Sequence, residues 1–429
     1  MDVLPFRALR PSARGPALAA LTRPGADALS RFSSQPSRRA ARGRGDGTGS
    51  PGPTAPGGRG AHPIAAAKQG ALAEEKEGLY VYRQEFRTDT GLDKNRMGLI
   101  AVLDVEGDPE GGVFPGQETE PFGVEARTEE MSASGLQSSP VVAGFEDTKF
   151  ELEKILERAV LARKTPDVDL DAGGGERHLI WKVDDAKRIE DLRRFFRGKD
   201  CCLIDGLHGY RALRRLRDAS GSGGKAAPLH PMTVLFNLFD FGLVLRAACL
   251  LVKEVSGFNV NDLVLRLDAS FEVKAYPFSG KSLPRALTEF REDLRLKGFT
   301  EMVVGAVFRG VDQFFLFELR DEQARESVYL PDVKEPLREF ESVLLRRVVI
   351  ERYLSGRPGD PFPAIDYSWS TEEAIAAVRA GEFLAAFFIN PPNKRKLAAL
   401  ARGGLQLPPG SARLDPPPRA GLLLREVFP

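Results

Sequence analysis

The sequence predicts an α+β fold, mixed sheets with packed helices, from three observations. Segments with strand-like alternation and segments with helical periodicity are interspersed without the strict alternation of a doubly wound sheet. No internal repeat is present. A content of 42% hydrophobic and 28% charged residues suits an ordinary soluble core. No run approaches the roughly 20 apolar residues of a membrane span.

The elements follow in chain order. Residues 1–67 hold ten Arg, no Lys, three Asp and no Glu among Ala, Gly, Pro and Ser. Such a stretch buries too little apolar surface to offset chain ordering, so residues 11–76 are expected to be a disordered Arg/Ala/Gly/Pro-rich segment. Met1–Arg10 (MDVLPFRALR) reads instead as structured. Gly78–Phe86 alternates aromatic and polar residues, a strand pattern, and Met97–Val105 is a second, more buried strand. An acidic, Gly-rich spacer, roughly 106–146, precedes a helix at Lys149–Arg163 whose apolar face is Leu152, Ile155, Leu156, Ala159 and Val160. A loop at Thr165–Glu176 leads to a strand at His178–Val183. Asp184 and Asp185 then cap a helix carrying Ile189, Leu192 and Phe196.

Cys201–Ile204 is a short strand, Asp205-Gly206 a turn, and Leu207–Asp218 a helix. The Ser-Gly-rich stretch Ser220–Pro228 divides a core over 77–219 from a second α+β part over 230–429. In that second part Met232–Phe239 is a strand and Leu243–Val255 a buried helix or strand. Ser282–Leu296 is a helix with Pro284 in its first turn, and Met302–Phe308 with Gln313–Leu319 is a hairpin. Glu335–Leu354 reads as one long helix, and Ser370 with Glu373 forms a capping box before the helix Thr371–Ala380. Ala385–Ile389 is a strand, Pro392–Arg402 a helix, and a Pro-rich tail closes the chain.

The net charge of +1 conceals an asymmetry, because residues 1–67 carry a net +7 and leave −6 on the remainder. The mildly acidic remainder lacks a nucleic-acid footprint, so no nucleic-acid partner is expected. The basic segment fits a docking tail for a protein partner, an organellar transit peptide or a plain linker. Three Cys, two of them adjacent, do not make a disulfide framework and point to a reducing, intracellular setting, the cytoplasm first.

Chemistry concentrates at the Asp205-Gly206-Leu207-His208 turn. A strand-to-helix turn presents free N–H groups where anions bind, with His208 in the first helical turn and Arg211, Arg214 and Arg215 behind it. Ala275–Ser282 (AYPFSGKS) satisfies a relaxed phosphate-loop spacing but has Ala275 where a Gly should lead and Pro277-Phe278 inside the loop. Cys202, Asp205 and His208 are one ligand short of a closed metal site, so no metal is expected. His62, His178 and His230 have no partner that spacing can name.

Val3–Pro11 (VLPFRALRP), Gly78–Phe86 (GLYVYRQEF), Arg96–Val102 (RMGLIAV), Ile204–Ala212 (IDGLHGYRA), Ala386–Pro391 (AFFINP) and Leu407–Leu422 occur in the order of the domain-of-unknown-function 1015 family, which this chain resembles. The resemblance implies a ParB-like core with additional α/β elements. It also implies kinship with free serine kinases, which phosphorylate L-serine from ADP, ATP or pyrophosphate. The implied site consists of motif remnants: Asp205, His208 and Glu118 for catalysis, and Gly206, His208 and Arg211 for phosphate.

Against the family's Ala-Asp-Gly-His-His-Arg-Tyr-Glu, this chain keeps Asp205, Gly206, His208 and Tyr210, with Leu207, Gly209 and Arg211 substituted. Pro115–Thr119 (PGQET) stands for Pro-His-Glu-x-Thr, with Gly116-Gln117 for His-Glu, or Glu118 retained after a one-residue slip. Ala248-Cys249 occupy the charged half of a Pro-Thr-His-Arg pattern, and Gly410 the Lys of Pro-Pro-Lys-Ser-Thr. Phosphoryl transfer depends on positioning and on cations, and loss of one stabilising donor commonly costs about 10²–10³ in rate. The expectation is a serine-kinase-like homologue with lost or altered catalysis and residual phosphate or small-molecule binding. The alternatives are a non-catalytic interaction or scaffold protein and, third, an active phosphotransferase using the loop over 275–282.

Overall fold

The computed structural model describes residues 1–12, 18, 22–24, 72–106, 112–220, 229–329, 331–354 and 363–427, which build two large sheets. The first has nine strands: β1 (Asp2–Leu4), β2 (Leu79–Arg87), β3 (Asp93–Asp104), β4 (Val113–Pro115), β5 (Val141–Phe145), β6 (Val168–Gly173), β7 (Glu176–Val183), β8 (Cys201–Asp205) and β9 (Met232–Asn237). Their order is β6-β7-β2-β3-β9-β5-β8-β4, with β1 also on β3. The pairings β9–β5 and β8–β4 are parallel and the rest antiparallel, so the sheet is mixed.

Side chains alternate across this sheet, as the two-residue period requires. Leu79, Val81, Cys201 and Leu203 face one core, and Tyr80, Tyr82, Cys202 and Ile204 the other. The first core is covered by α1 (Pro121–Ser134), α2 (Glu151–Arg163), α3 (Ala186–Phe196) and α4 (Leu207–Ser220). Leu152, Leu156, Leu192 and Phe196 are fully buried there, each worth about 1.5–3 kcal/mol. Asp185 caps α3 by accepting from Arg188 N at 3.0 Å.

The second sheet has six strands, β10 (Cys249–Val252), β11 (Phe271–Pro277), β12 (Val303–Phe308), β13 (Gln313–Leu319), β14 (Ile365–Ser368) and β15 (Ala385–Phe388), in the order β11-β13-β12-β15-β10-β14. Helices α5 (Val260–Asp268), α6 (Leu283–Lys297) and α7 (Thr371–Arg379) accompany it, while α8 (Lys394–Arg402) packs on β8 and β4 of the first sheet. Residues of β12, β13 and β15 share one continuous apolar core with the Tyr80–Tyr82 face of the first sheet, while α6 and α7 cover the opposite face. Among the described residues no helix is long and apolar enough to cross a membrane.

The mixed α and β architecture matches the expectation from sequence; several elements differ. The stretch 106–146, expected to be a spacer, contains β4, α1 and β5. Helix α1 escapes a reading by periodicity because its buried positions are Gly123, Arg127 and Met131, which carry little apolar signal. The expected loop Thr165–Glu176 contains β6, an edge strand burying Val168 and Leu170 and exposing Asp169 and Asp171. Leu243–Val255 contains two short strands, Leu245–Arg246 and Cys249–Val252, and α5 is an element the sequence reading lacks. Glu335–Leu354 is interrupted at Phe340, whose extended φ of −119° separates a tight Glu335–Glu339 turn from the helical run that follows.

Most of the segment 11–76 lies outside the described residues, as do 221–228. At its margins the chain is paired: Leu9–Pro11 with Leu72–Glu74, and Arg23–Pro24 with Arg419–Ala420. The Pro-rich tail is woven into the body through that pairing, through Arg413–Leu414 on Leu245–Arg246 and through Arg425–Glu426 on Leu136–Gln137.

Candidate functional site

Strand β8 ends at Asp205, and Gly206 turns the chain into α4 with φ +75°. A Cβ there would meet Val141 Cα at 3.1 Å and Pro140 O at 3.2 Å, so both conformation and space require glycine. Asp205 is buried; its Oδ1 accepts from Gly206 N at 2.6 Å and its Oδ2 from Leu414 N at 3.2 Å. His208, also buried, accepts from Glu120 N through Nε2 at 3.2 Å.

Gln117 staples the site together. Its Nε2 donates to Ile204 O at 2.9 Å and to Ala412 O at 2.6 Å, and its Oε1 accepts from Ala412 N. Three segments far apart in sequence, Pro115–Thr119, Ile204–Ala212 and Pro408–Ala412, therefore meet at one point. Ala248 joins them by donating to Gly410 O at 2.9 Å.

Two cavities flank the Asp205–His208 turn. The larger, about 50 Å³, is lined by Arg127, Glu130, Ser139, Asp205, His208 and Gly209 among others, with Pro417 and Pro418 also on its wall. The smaller, about 10 Å³, touches Glu118, Thr119, Asp205, His208 and Gly410. At roughly 10–15 Å³ for a first water, the larger, which opens to solvent, encloses a ligand group of a few heavy atoms and the smaller one water at most. Neither encloses a whole nucleotide.

The residues expected from sequence divide as follows. Asp205, Gly206 and His208 line both cavities, and Glu118 lines the smaller. Arg211 lines neither; its Nη2 donates to Gln406 Oε1 at 3.1 Å. A Cβ on Gly116 would lie 3.0 Å from Cys202 Sγ and Leu203 O, so no side chain fits there unless they move. Gly410, at φ +81°, would press a Cβ to 3.0 Å from the Tyr367 ring and 3.2 Å from Ala248. The two positions where the family pattern has His and Lys are thus committed to glycine.

Cys249 faces the opposite core and burial pushes its thiol up to about 12. Asn390 of AFFINP lies away from both cavities, bonded to Glu341 and Leu294. His178 is buried between Tyr82 and Glu176, His230 lies near Asp104, and His62 is outside the described residues. At Ala275–Ser282, Ser279 and Ser282 cap each other, with Ser279 N donating to Ser282 Oγ at 2.7 Å, so this turn is a helix cap and not a phosphate cradle. Among the described residues no three or more His, Cys, Asp and Glu side chains are placed to hold a metal ion.

Sequence reasoning missed two groups. The first is the Arg127–Glu130 ion pair in α1, on the wall of the larger cavity. The second joins Glu120 to the second sheet: Tyr367 donates to Glu120 Oε1 at 2.7 Å, and Arg346 Nη1 donates to Tyr367 at 3.0 Å and pairs with Glu120 at 3.5 Å. Burial pulls the Arg346 pKa down, but Tyr367, Glu120 and Glu118 outweigh it and the net shift is upward. Burial holds the Tyr367 hydroxyl protonated well above its ordinary range. No local signal could have found this cluster, because Glu120 and Tyr367 are more than 200 residues apart.

The family model described as a protein of unknown function (DUF1015) matches residues 65–334. No curated protein matches the chain. Among solved structures, a conserved hypothetical protein from Pyrococcus furiosus is 14% identical, with 74% of this chain and 89% of that one covered and a TM-score of 0.35. A free serine kinase in complex with AMP is 14% identical, with 74% and 86% covered and a TM-score of 0.35. SbnI with C-terminal truncation, from Staphylococcus aureus, is 9% identical, with 73% and 81% covered and a TM-score of 0.34. By the length of the family match, this chain belongs to the DUF1015 family of proteins of unknown function.

Proposed function

We propose that this protein is a serine-kinase-like homologue that holds a small polar ligand between Asp205 and Arg127 and has lost efficient phosphoryl transfer. One observation carries the reading: the motif segments around Gln117, Asp205 and Gly410 converge, yet glycine stands at three positions where the family pattern has a cation or a His, namely Gly116, Gly209 and Gly410. Transfer of a phosphoryl group needs those positive groups against the developing charge.

The charge around the larger cavity supports a ligand of mixed sign. Arg127 offers a guanidinium to an anionic group, whereas Glu130 and Asp205 offer carboxylates to an ammonium or hydroxyl. L-Serine has those features. Inorganic phosphate should bind more weakly, because the Asp205 carboxylate already accepts from the Gly206 amide at the start of α4. A nucleotide would extend from this cavity into solvent.

Calorimetry and thermal shift with L-serine, phosphoserine, phosphate, pyrophosphate, ADP and ATP test the reading. A ligand at 100 times its Kd should add about 2.7 kcal/mol of stability. L-Serine should bind, and serine-dependent consumption of any phosphoryl donor should stay at background. Robust consumption overturns the loss of transfer; no binding by any of them leaves the scaffold alone and favours an interaction protein.

A further inference from the structure

The loop after β9 turns at Asp240-Phe241-Gly242, where Asp240 Oδ1 accepts from Gly242 N at 2.7 Å. Two consecutive carbonyls of this turn each hold an ammonium group from elsewhere in the chain. Lys94 of β3 donates to Phe241 O at 2.8 Å, and Lys394, the first residue of α8, donates to Asp240 O at 2.7 Å. The guanidinium of Arg395 lies 5.3 Å over the ring of Phe239, on the same loop. Cations from two distant segments therefore crowd one surface turn, at which Phe241 is 85% exposed and Lys394 half-buried.

The carboxylate that faces them is divided. Asp240 interacts with Lys394, with the buried Arg96 and with the Gly242 amide of its own turn. Asn393 caps α8 by accepting from Arg395 N and Lys396 N, which places Lys394 at the positive end of that helix. Neighbouring cations and a helix start both favour the neutral amine over the ammonium. Burial is the largest cause, Asp240 opposes it, and Lys94 and Arg395 reinforce it; together they bring Lys394 down to about 8.

A lysine crowded by other cations is a nucleophile near neutral pH, and the same cations attract an anionic donor. We propose that Lys394 is a site of acylation by acyl phosphates, with Lys94 and Arg395 drawing in the phosphate group. The amine lone pair attacks the acyl carbon. A C–N bond forms, the bond from that carbon to the phosphate oxygen breaks, and inorganic phosphate leaves with the proton the amine gives up. The amide N–H that remains can still donate to Asp240 O, so the product keeps that contact and sheds one of the crowded charges. This site is separate from the Asp205 cavities, whose walls include none of these residues.

Acetyl phosphate on the full chain, followed over time by peptide mass mapping, tests the site. Lys396, exposed and paired with Glu339 at 2.8 Å, is the internal reference. Near neutral pH Lys394 should acetylate at least about tenfold faster than Lys396, because a group of pKa about 8 holds far more free amine than an ordinary lysine. Its rate should level off above about pH 8 while that of Lys396 keeps rising. The preference for Lys394 should shrink at about 1 M salt, where charge attraction is screened. Lys94→Gln keeps a donor for Phe241 O and removes one cation, so it should slow Lys394 several-fold and leave Lys396 unchanged. Equal rates at Lys394 and Lys396 overturn the proposal. A Lys394 rate indifferent to both salt and Lys94→Gln overturns it as well, because the cation cluster then plays no part.

Discussion

The Tyr367 hydroxyl donates to Glu120 Oε1 at 2.7 Å, and this contact ties the second sheet to the loop that carries Glu118. The ring packs beside Gly410 and Ala248, so Tyr367→Phe keeps the packing and removes only the hydrogen bonds to Glu120 and from Arg346. Unfolding free energy should fall by about 1–3 kcal/mol, read from the urea midpoint at unchanged slope.

Gly209→Arg and Leu207→His, which both move the chain toward the family pattern, should behave oppositely. A Cβ at Gly209 has only Met131 Cε near it, at 3.5 Å, and the position lines the larger cavity. Replacing a helical glycine there should leave stability unchanged or raise it by up to about 1 kcal/mol, and calorimetry should show tighter phosphate binding from the added cation. Leu207 is 3% exposed within the apolar core beneath α4. Leu207→His should cost roughly 2–4 kcal/mol in denaturant titration.

Gly206→Ala should destabilise by roughly 1–3 kcal/mol, because alanine is strained at φ +75° and its methyl meets the β5 backbone. Gly173→Ala, at φ +81° but with nothing within 4 Å, carries the strain without the contact. The larger loss at Gly206, compared by thermal denaturation, measures the close approach of the turn to β5.

Glu341 gives a pH dependence of defined sign. Burial pushes its carboxyl up to about 7, although Asn390 N at 2.6 Å, Asn390 Nδ2 and Val303 N all donate to it. The folded pKa lies above the unfolded one, so the folded state binds the proton more tightly. This group's stabilisation is present in full below about pH 4 and is lost as pH rises through about 7, by roughly 3 kcal/mol at most. Thermal denaturation between pH 5 and 8 should show the decline, and Glu341→Gln should flatten it.

Strands β2, β3 and β7 were legible as runs rich in apolar, β-branched and aromatic residues, which sit between two cores and are buried on both faces. The turn at Asp205-Gly206 was legible because only a few residue types make such turns. Helix α1 was not, since its inward side chains include an arginine paired with Glu130, and β6 was not, since its outward residues are aspartates. Around the site, Asp205, Gly206 and His208 were found, whereas Arg127, Arg346 and Tyr367 were not. Their placement follows from tertiary packing, which no spacing encodes, and the same packing turns Arg211 toward Gln406.

Strand β9 sits between β3 and β5, with Met232 opposite Val102 and Thr233 beside Val141. Both of those partners leave the ribosome roughly a hundred residues before β9 does, at a synthesis rate of about 5–20 residues per second. For several seconds, therefore, the nascent chain carries β3 and β5 with at least one edge of each unpaired. Such edges are ready templates for pairing with another chain, and these two are apolar on both faces. The middle of the sheet is the last of the three strands to be delivered, so its insertion sets when the half-made protein stops being adhesive.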